Sequence, residues 1–179
     1  MPAKAADLPS PWNEFLHEID ETLKETLRLY CIGGFVFAYF YGLPRSTSDL
    51  DYSTSVPSNV NLDEIAGEGS LLHKKHKVHL HRVTVMTMPE GYEERSSEMF
   101  PGSFKHLKLY VPDPYDSILS KLERNDSKDR DDANYLFRSQ KLDVEALRNR
   151  YREHQRPYLL AREEWHNTTL EMWIEIFTT

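Results

Sequence analysis

Residues 28–54 contain Arg28-Leu29-Tyr30-Cys31-Ile32-Gly33-Gly34, an apolar run to Gly42, and then Leu43-Pro44-Arg45-Ser46-Thr47-Ser48-Asp49-Leu50-Asp51-Tyr52-Ser53-Thr54. The stretch reads as a strand, a Gly-Gly turn, a short helix over 35–41, a loop, and a second strand carrying two alternate aspartates. Gly42 and Pro44 end the helix. Residues two apart in a strand share a face, so Asp49 and Asp51 set two carboxylates side by side while Leu50 turns the other way. Paired carboxylates suit a hard divalent cation such as Mg²⁺, which keeps one or two protein carboxylates together with substrate phosphates. Gly33 and Gly34 lack a Cβ, permit a tight turn, and let a phosphate come close to the backbone.

Upstream, residues 1–10 read as a flexible start without the apolar region of a signal peptide, and Ser10 is placed to cap a helix with Pro11 at its first position. Trp12, Phe15, Leu16, Ile19, Leu23 and Leu27 recur at helical spacing, which predicts an amphipathic helix of about five turns. The first strand then covers 29–32. Downstream, 62–66 and 70–76 read as short helices, 78–88 as one long strand closed by Pro89, and 90–99 as loop or helix. A further strand over 104–111 sets Leu107, Leu109 and Val111 on one face. Pro112-Asp113-Pro114 marks the strongest boundary, and everything beyond it reads as helical. Four helices are expected there, carried by Ile118 and Leu122, by Ala133 and Leu136, by Val144 and Leu147, and by Leu170, Trp173 and Phe177. The expectation is an α+β fold: a mixed sheet with helices in residues 1–112 and a helical lobe in 113–179, packed as one compact unit.

A chain of 179 residues with 39% hydrophobic content can bury one sizeable core. The net charge of −7 argues against a protein that wraps nucleic acid along a basic surface. A single cysteine, Cys31, excludes an internal disulfide framework and a cysteine-rich zinc site, and its apolar strand makes it a buried, inert thiol. No stretch approaches the roughly 18–20 continuous apolar residues that a membrane span needs, so a cytoplasmic protein without membrane contact is expected. His73, His76, His79 and His81 have no cysteine or acid among them. With Lys74, Lys75, Lys77 and Arg82 they read as a solvated basic hairpin, or as a patch in which these four cations contact phosphate or RNA, ahead of a transition-metal site.

The glycine turn and the Asp-Leu-Asp strand meet at one edge of a sheet, where a nucleoside triphosphate and its metal fit. Arg45, Ser46 and Thr47 lie immediately upstream of Asp49, placed to hydrogen-bond phosphate oxygens. A second cluster follows the boundary: Lys121, Glu123 and Arg124, then Lys128-Asp129-Arg130-Asp131-Asp132. Asp129, Asp132, Ala133 and Leu136 fall at i, i+3, i+4 and i+7, so these two aspartates share the packed face and Asp131 does not. Carboxylates turned inward need a cation, a metal or a hydrogen-bond network to offset desolvation, and Lys121 or Arg124 is the available partner.

Gly33-Gly34 followed by Pro44-Arg45-Ser46-Thr47-Ser48-Asp49-Leu50-Asp51 resembles the first motif of the polymerase-β-type nucleotidyltransferase superfamily. Within it, the chain most resembles the AbiEii-type toxin-like nucleotidyltransferases, from about residue 28 to residue 140, because the cluster at 120–132 matches as well. The resemblance implies a nucleotidyltransferase-like sheet, Mg²⁺, and transfer of a nucleotide from a nucleoside triphosphate to an acceptor hydroxyl on tRNA or a protein. It gives Lys121 a role in nucleotide binding and Asp129 and Asp132 a role in catalysis. It also implies a toxin–antitoxin or phage-defence setting, with an antitoxin as partner. Members of the superfamily usually add a third acidic residue on a later strand; here nothing acidic occurs between Glu68 and Glu90, and His79, His81 and Arg82 stand there instead. The alternative is a catalytically inactive nucleotidyltransferase-fold protein that binds a nucleotide or a partner.

Overall fold

The computed structural model describes residues 7–179; residues 1–6, which hold most of the expected flexible start, lie outside the described residues. Two compact units divide the chain, one holding it through Thr84 together with Ser96–Val111, the other holding Val85–Arg95 with Pro112–Thr179.

The first unit opens with α1 (Trp12–Thr22), which buries Trp12, Phe15, Leu16 and Ile19 on one side. Pro11 occupies its N-cap without a side-chain hydrogen bond, so Ser10 is not the cap that its position suggests. The helix also stops short of the expected five turns. Leu23 turns extended, with ψ 137°, and its N–H closes on the carbonyl of Asp20 at 3.2 Å. The Asp20 carboxylate accepts the N–H groups of Lys105, His106 and Leu107 at 2.9, 2.7 and 2.7 Å. Leu23 and Leu27 are buried, as their spacing requires, but from a turn and from a strand rather than from the helix.

That strand is β1 (Leu27–Ile32), followed by α2 (Gly33–Tyr39), β2 (Asp49–Val56), α3 (Leu62–Ala66), α4 (Leu71–His76), β3 (His79–Arg82), β4 (Ser97–Met99) and β5 (Leu107–Val111). The strands form one mixed sheet in the order β3-β2-β1-β5-β4. β2 runs antiparallel to β1, β5 runs parallel to β1, β3 runs parallel to β2, and β4 runs antiparallel to β5. Leu29, Cys31, Leu50, Leu80, Leu107, Leu109 and Val111 share a core with Phe15, Leu16 and Ile19 of α1 and with Phe35 and Val36 of α2. The Trp12 ring stands edge-on to Phe35 with centroids 4.7 Å apart. Burial pushes the Cys31 thiol up, in keeping with a core residue rather than a nucleophile.

The long strand expected over 78–88 ends at Arg82. Its β-branched residues favour extended backbone, but the chain from Val85 onward belongs to the second unit. There Gln155 donates from Nε2 to the carbonyls of Thr87 and Leu119 at 2.9 and 3.1 Å, and Arg95 pairs with the buried Asp116 at 2.8 Å.

The second unit is helical: α5 (Pro114–Leu119), α6 (Ser127–Ser139), α7 (Val144–Arg150) and α8 (Glu163–Thr178), with a π-helical turn at Tyr151–Gln155 continuing α7. Asp113, Asp126 and Asp143 cap α5, α6 and α7, accepting the N–H groups of Asp116, Asp129 and Ala146 at 2.8, 2.7 and 2.8 Å. α6 meets α8 where Phe137 stacks on Phe177, centroids 4.8 Å apart. The architecture is therefore α+β, a five-stranded mixed sheet with helices followed by a C-terminal helical segment. Among the described residues, no helix is long and apolar enough to cross a membrane.

Candidate metal and nucleotide site

β1 ends where the Gly-Gly turn begins, and antiparallel pairing brings β2 back beside it, with Ile32 opposite Asp51. Leu50 and Tyr52 go into the core, so pleating leaves Asp49 and Asp51 half-buried on the other face. Gly33 has φ +71°, a backbone conformation that side chains resist, and a Cβ placed on it would lie 2.6 Å from Asp51 Oδ2. A Cβ on Gly34 would lie 3.6 Å from the Thr47 hydroxyl. The glycines are thus next to the carboxylate face, and at Gly33 only glycine leaves room for it.

On the approach to β2, Thr47 Oγ1 donates to Asp49 Oδ1 at 2.7 Å, which orients that carboxylate. Arg45 is half-buried and Ser46 exposed in the same connection. On the far side, β3 pairs in parallel register with β2, Asp49 opposite His79 and Asp51 opposite His81. His81 Nδ1 lies 2.7 Å from Asp51 Oδ1. Each of Asp49, Asp51 and His81 offers a ligand atom, and the three atoms all lie within 4.8 Å of one another. Two carboxylates and an imidazole form a donor set that fits a divalent cation.

The histidines seen together in sequence go separate ways. His76 Nε2 lies 3.0 Å from Glu18, His73 Nδ1 accepts the Gly69 N–H at 2.8 Å, and the His73 and His79 rings pack with centroids 4.8 Å apart. Of these four, only His81 joins the carboxylates, whereas sequence pattern alone places it in a basic hairpin. A signal was present: His79 and His81 have the same alternate spacing as Asp49 and Asp51.

In the second unit, Asp129 and Asp132 are each 1% exposed while Asp131 is exposed, matching the helical spacing. Lys121 Nζ donates to Asp129 Oδ1 at 2.9 Å and to Asp132 Oδ2 at 3.2 Å. Arg124 adds two bonds of 2.6 Å to the Asp129 carboxylate. Burial pushes Asp129 up, but the Arg124 and Lys121 cations outweigh it and hold the carboxyl below its usual range. The inward carboxylates and these two cations are linked in one network, which Arg124 extends to Asp126 at 3.0 Å.

No curated protein and no solved structure gives a significant match to the chain. A family model described as "Nucleotidyltransferase of unknown function (DUF6036)" matches residues 13–178. That span takes in the Gly33-Gly34 turn, the Asp49–Asp51 strand and the Lys121–Asp132 network together. With nearly its whole length matched, the chain belongs to this nucleotidyltransferase family, and its substrate is accordingly a nucleotide.

Proposed function

We propose that the protein transfers a nucleotide from a nucleoside triphosphate to an acceptor hydroxyl, with a divalent cation such as Mg²⁺ held by Asp49 and Asp51. The observation that carries this reading is the convergence of Asp49, Asp51 and His81 ligand atoms within 4.8 Å, beside a Gly33 turn whose missing Cβ leaves room for the Asp51 carboxylate. Bound there, the cation offsets the charge of the triphosphate and of the leaving pyrophosphate. Gly33 and Gly34 admit the phosphates to the backbone, and Arg45, Ser46 and Thr47 supply donors to their oxygens. Thr47 also keeps Asp49 oriented through its 2.7 Å bond.

The proposal extends to Lys121 as a phosphate contact and to Asp129, helped by Asp132, as the group that takes the acceptor proton. A carboxylate held below its usual range is a weak base, so Asp129 acts in this way only when Arg124 and Lys121 release it. By the AbiEii-type resemblance the acceptor is tRNA or a protein, and the setting a toxin–antitoxin or phage-defence system with a cognate antitoxin.

Incubation with α-labelled nucleoside triphosphates, divalent cation and panels of tRNA, total RNA and protein tests the reading. Label is expected to pass to one acceptor class, and transfer to fall by about 10²-fold or more in Asp49→Asn and Asp51→Asn. Transfer untouched by both substitutions would refute the assignment. A second reading, nucleotide or partner binding without catalysis, draws support from β3, which carries His79 and His81 and no carboxylate. Nucleotide binding without pyrophosphate release from the triphosphate in the presence of any acceptor would favour it.

A further inference from the structure

We propose that His81 is a direct ligand of the cation at Asp49 and Asp51, which makes the site a mixed nitrogen–oxygen centre with higher affinity for Mn²⁺, Co²⁺ and Zn²⁺ than for Mg²⁺. The inference rests on the reading of Asp49 and Asp51 as a metal site and adds to it the identity of the third donor and the class of ion.

The backbone brings the ring there. β3 lies beside β2 in parallel register, so Leu80 enters the core next to Leu50 while His81 goes to the face that carries Asp51. The Asp51 carboxylate is bracketed: Oδ2 lies against Gly33 and Oδ1 lies 2.7 Å from His81 Nδ1. Asp49 is fixed from the other end by Thr47. All three donors therefore sit on neighbouring strands of one sheet, and their mutual distances already fall within the reach of a single ion. His81 is 56% exposed in its side chain, so burial does not account for its position. That exposure also leaves the centre open on one side to water or phosphate oxygens.

The chemistry then follows from the donors. Two carboxylates alone favour hard ions such as Mg²⁺, whereas a neutral imidazole nitrogen suits first-row transition ions, and affinity for such a set rises from Mn²⁺ through Co²⁺. To ligate, the imidazole gives up the 2.7 Å contact with Asp51 Oδ1 and both atoms turn to the same ion. This exchanges one hydrogen bond for two metal bonds.

Mn²⁺ titration of the full chain followed by electron paramagnetic resonance tests the proposal, with pulsed measurements to read ¹⁴N coupling and Mg²⁺ competition in parallel. The wild type is expected to bind Mn²⁺ more tightly than Mg²⁺ and to show coupling to one imidazole nitrogen. His81→Ala and His81→Gln are expected to abolish that coupling and weaken Mn²⁺ about tenfold or more, with Mg²⁺ affinity nearly unchanged. Thermal melts of both variants check that the exposed substitution leaves the fold intact. Mn²⁺ bound in an Asp49- and Asp51-dependent way without ¹⁴N coupling overturns the role of His81 alone. If Mn²⁺ and Mg²⁺ both fail to bind, or bind equally to Asp49→Ala and wild type, the metal reading of the aspartates falls as well.

Discussion

Gly33 controls the space that Asp51 occupies. Its φ of +71° and the 2.6 Å approach to Asp51 Oδ2 act together, so Gly33→Ala meets both backbone strain and a clash with the carboxylate. We expect it to destabilise the protein by about 1–3 kcal/mol and to weaken divalent-ion binding, read by urea unfolding and by Mn²⁺ titration. Gly34→Ala is the control, because its Cβ would meet the Thr47 hydroxyl at an ordinary 3.6 Å. Asp129 offers a second single-residue test. Removing it leaves Lys121, which is 9% exposed in its side chain, without its shorter carboxylate bond. Asp129→Ala is expected to lower stability by about 3–5 kcal/mol, whereas the exposed Asp131→Ala changes it by about 0.5 kcal/mol or less. Equal effects of the two substitutions in chemical denaturation would contradict the buried network.

Elements are tied together by carboxylates as much as by apolar faces. Asp20 at the end of α1 holds the backbone entering β5: burial pushes its carboxyl up, but the N–H groups of Leu107, Lys105 and His106 outweigh this and hold it below its usual range. Asp129 of α6 is also depressed. For both groups the native pKa lies under the unfolded value, so the unfolded chain binds more protons in acid. Their stabilisation is complete above about pH 4 and is lost as pH falls through the native values. Urea unfolding between neutral pH and pH 2 is expected to show that decline, with a smaller acid slope in Asp20→Asn and Asp129→Asn. Much of the element pattern is readable without coordinates, since the strand, glycine turn and Asp-Leu-Asp return follow from period-two alternation and from Gly33. Asp129 and Asp132 on the packed face follow from helical spacing in the same way. Periodicity cannot tell that Leu23 and Leu27 are buried from a turn and a strand, because a continuous apolar face is compatible with either. Nor does β-branched composition over 78–88 reveal that β3 ends at Arg82, since partners such as Gln155 and Asp116, distant in sequence, draw the next residues into the second unit. The position of His81 is hidden from sequence for a related reason: it depends on the parallel register of β3 with β2, a non-local pairing that local spacing does not specify.

Across the whole chain, the family match covers residues of both compact units. A net charge of −7 supplies no general attraction for RNA, which makes a protein acceptor or a locally recognised RNA end the acceptors to try first. If the toxin setting is correct, induced expression in a bacterial host arrests growth and the Asp49→Asn, Asp51→Asn double variant restores it. Equal arrest by the double variant, accumulated to the same level, would remove that setting. The account turns on whether the two aspartates bring a nucleotide and a divalent cation together. Calorimetric titration of ATP, GTP, CTP and UTP in the presence of Mg²⁺ or Mn²⁺ measures this directly, with the Asp49→Ala, Asp51→Ala double variant alongside. The account predicts cation-dependent binding of at least one nucleotide by the wild type and its loss in the double variant. Equal binding by both proteins, or binding by neither, would contradict it.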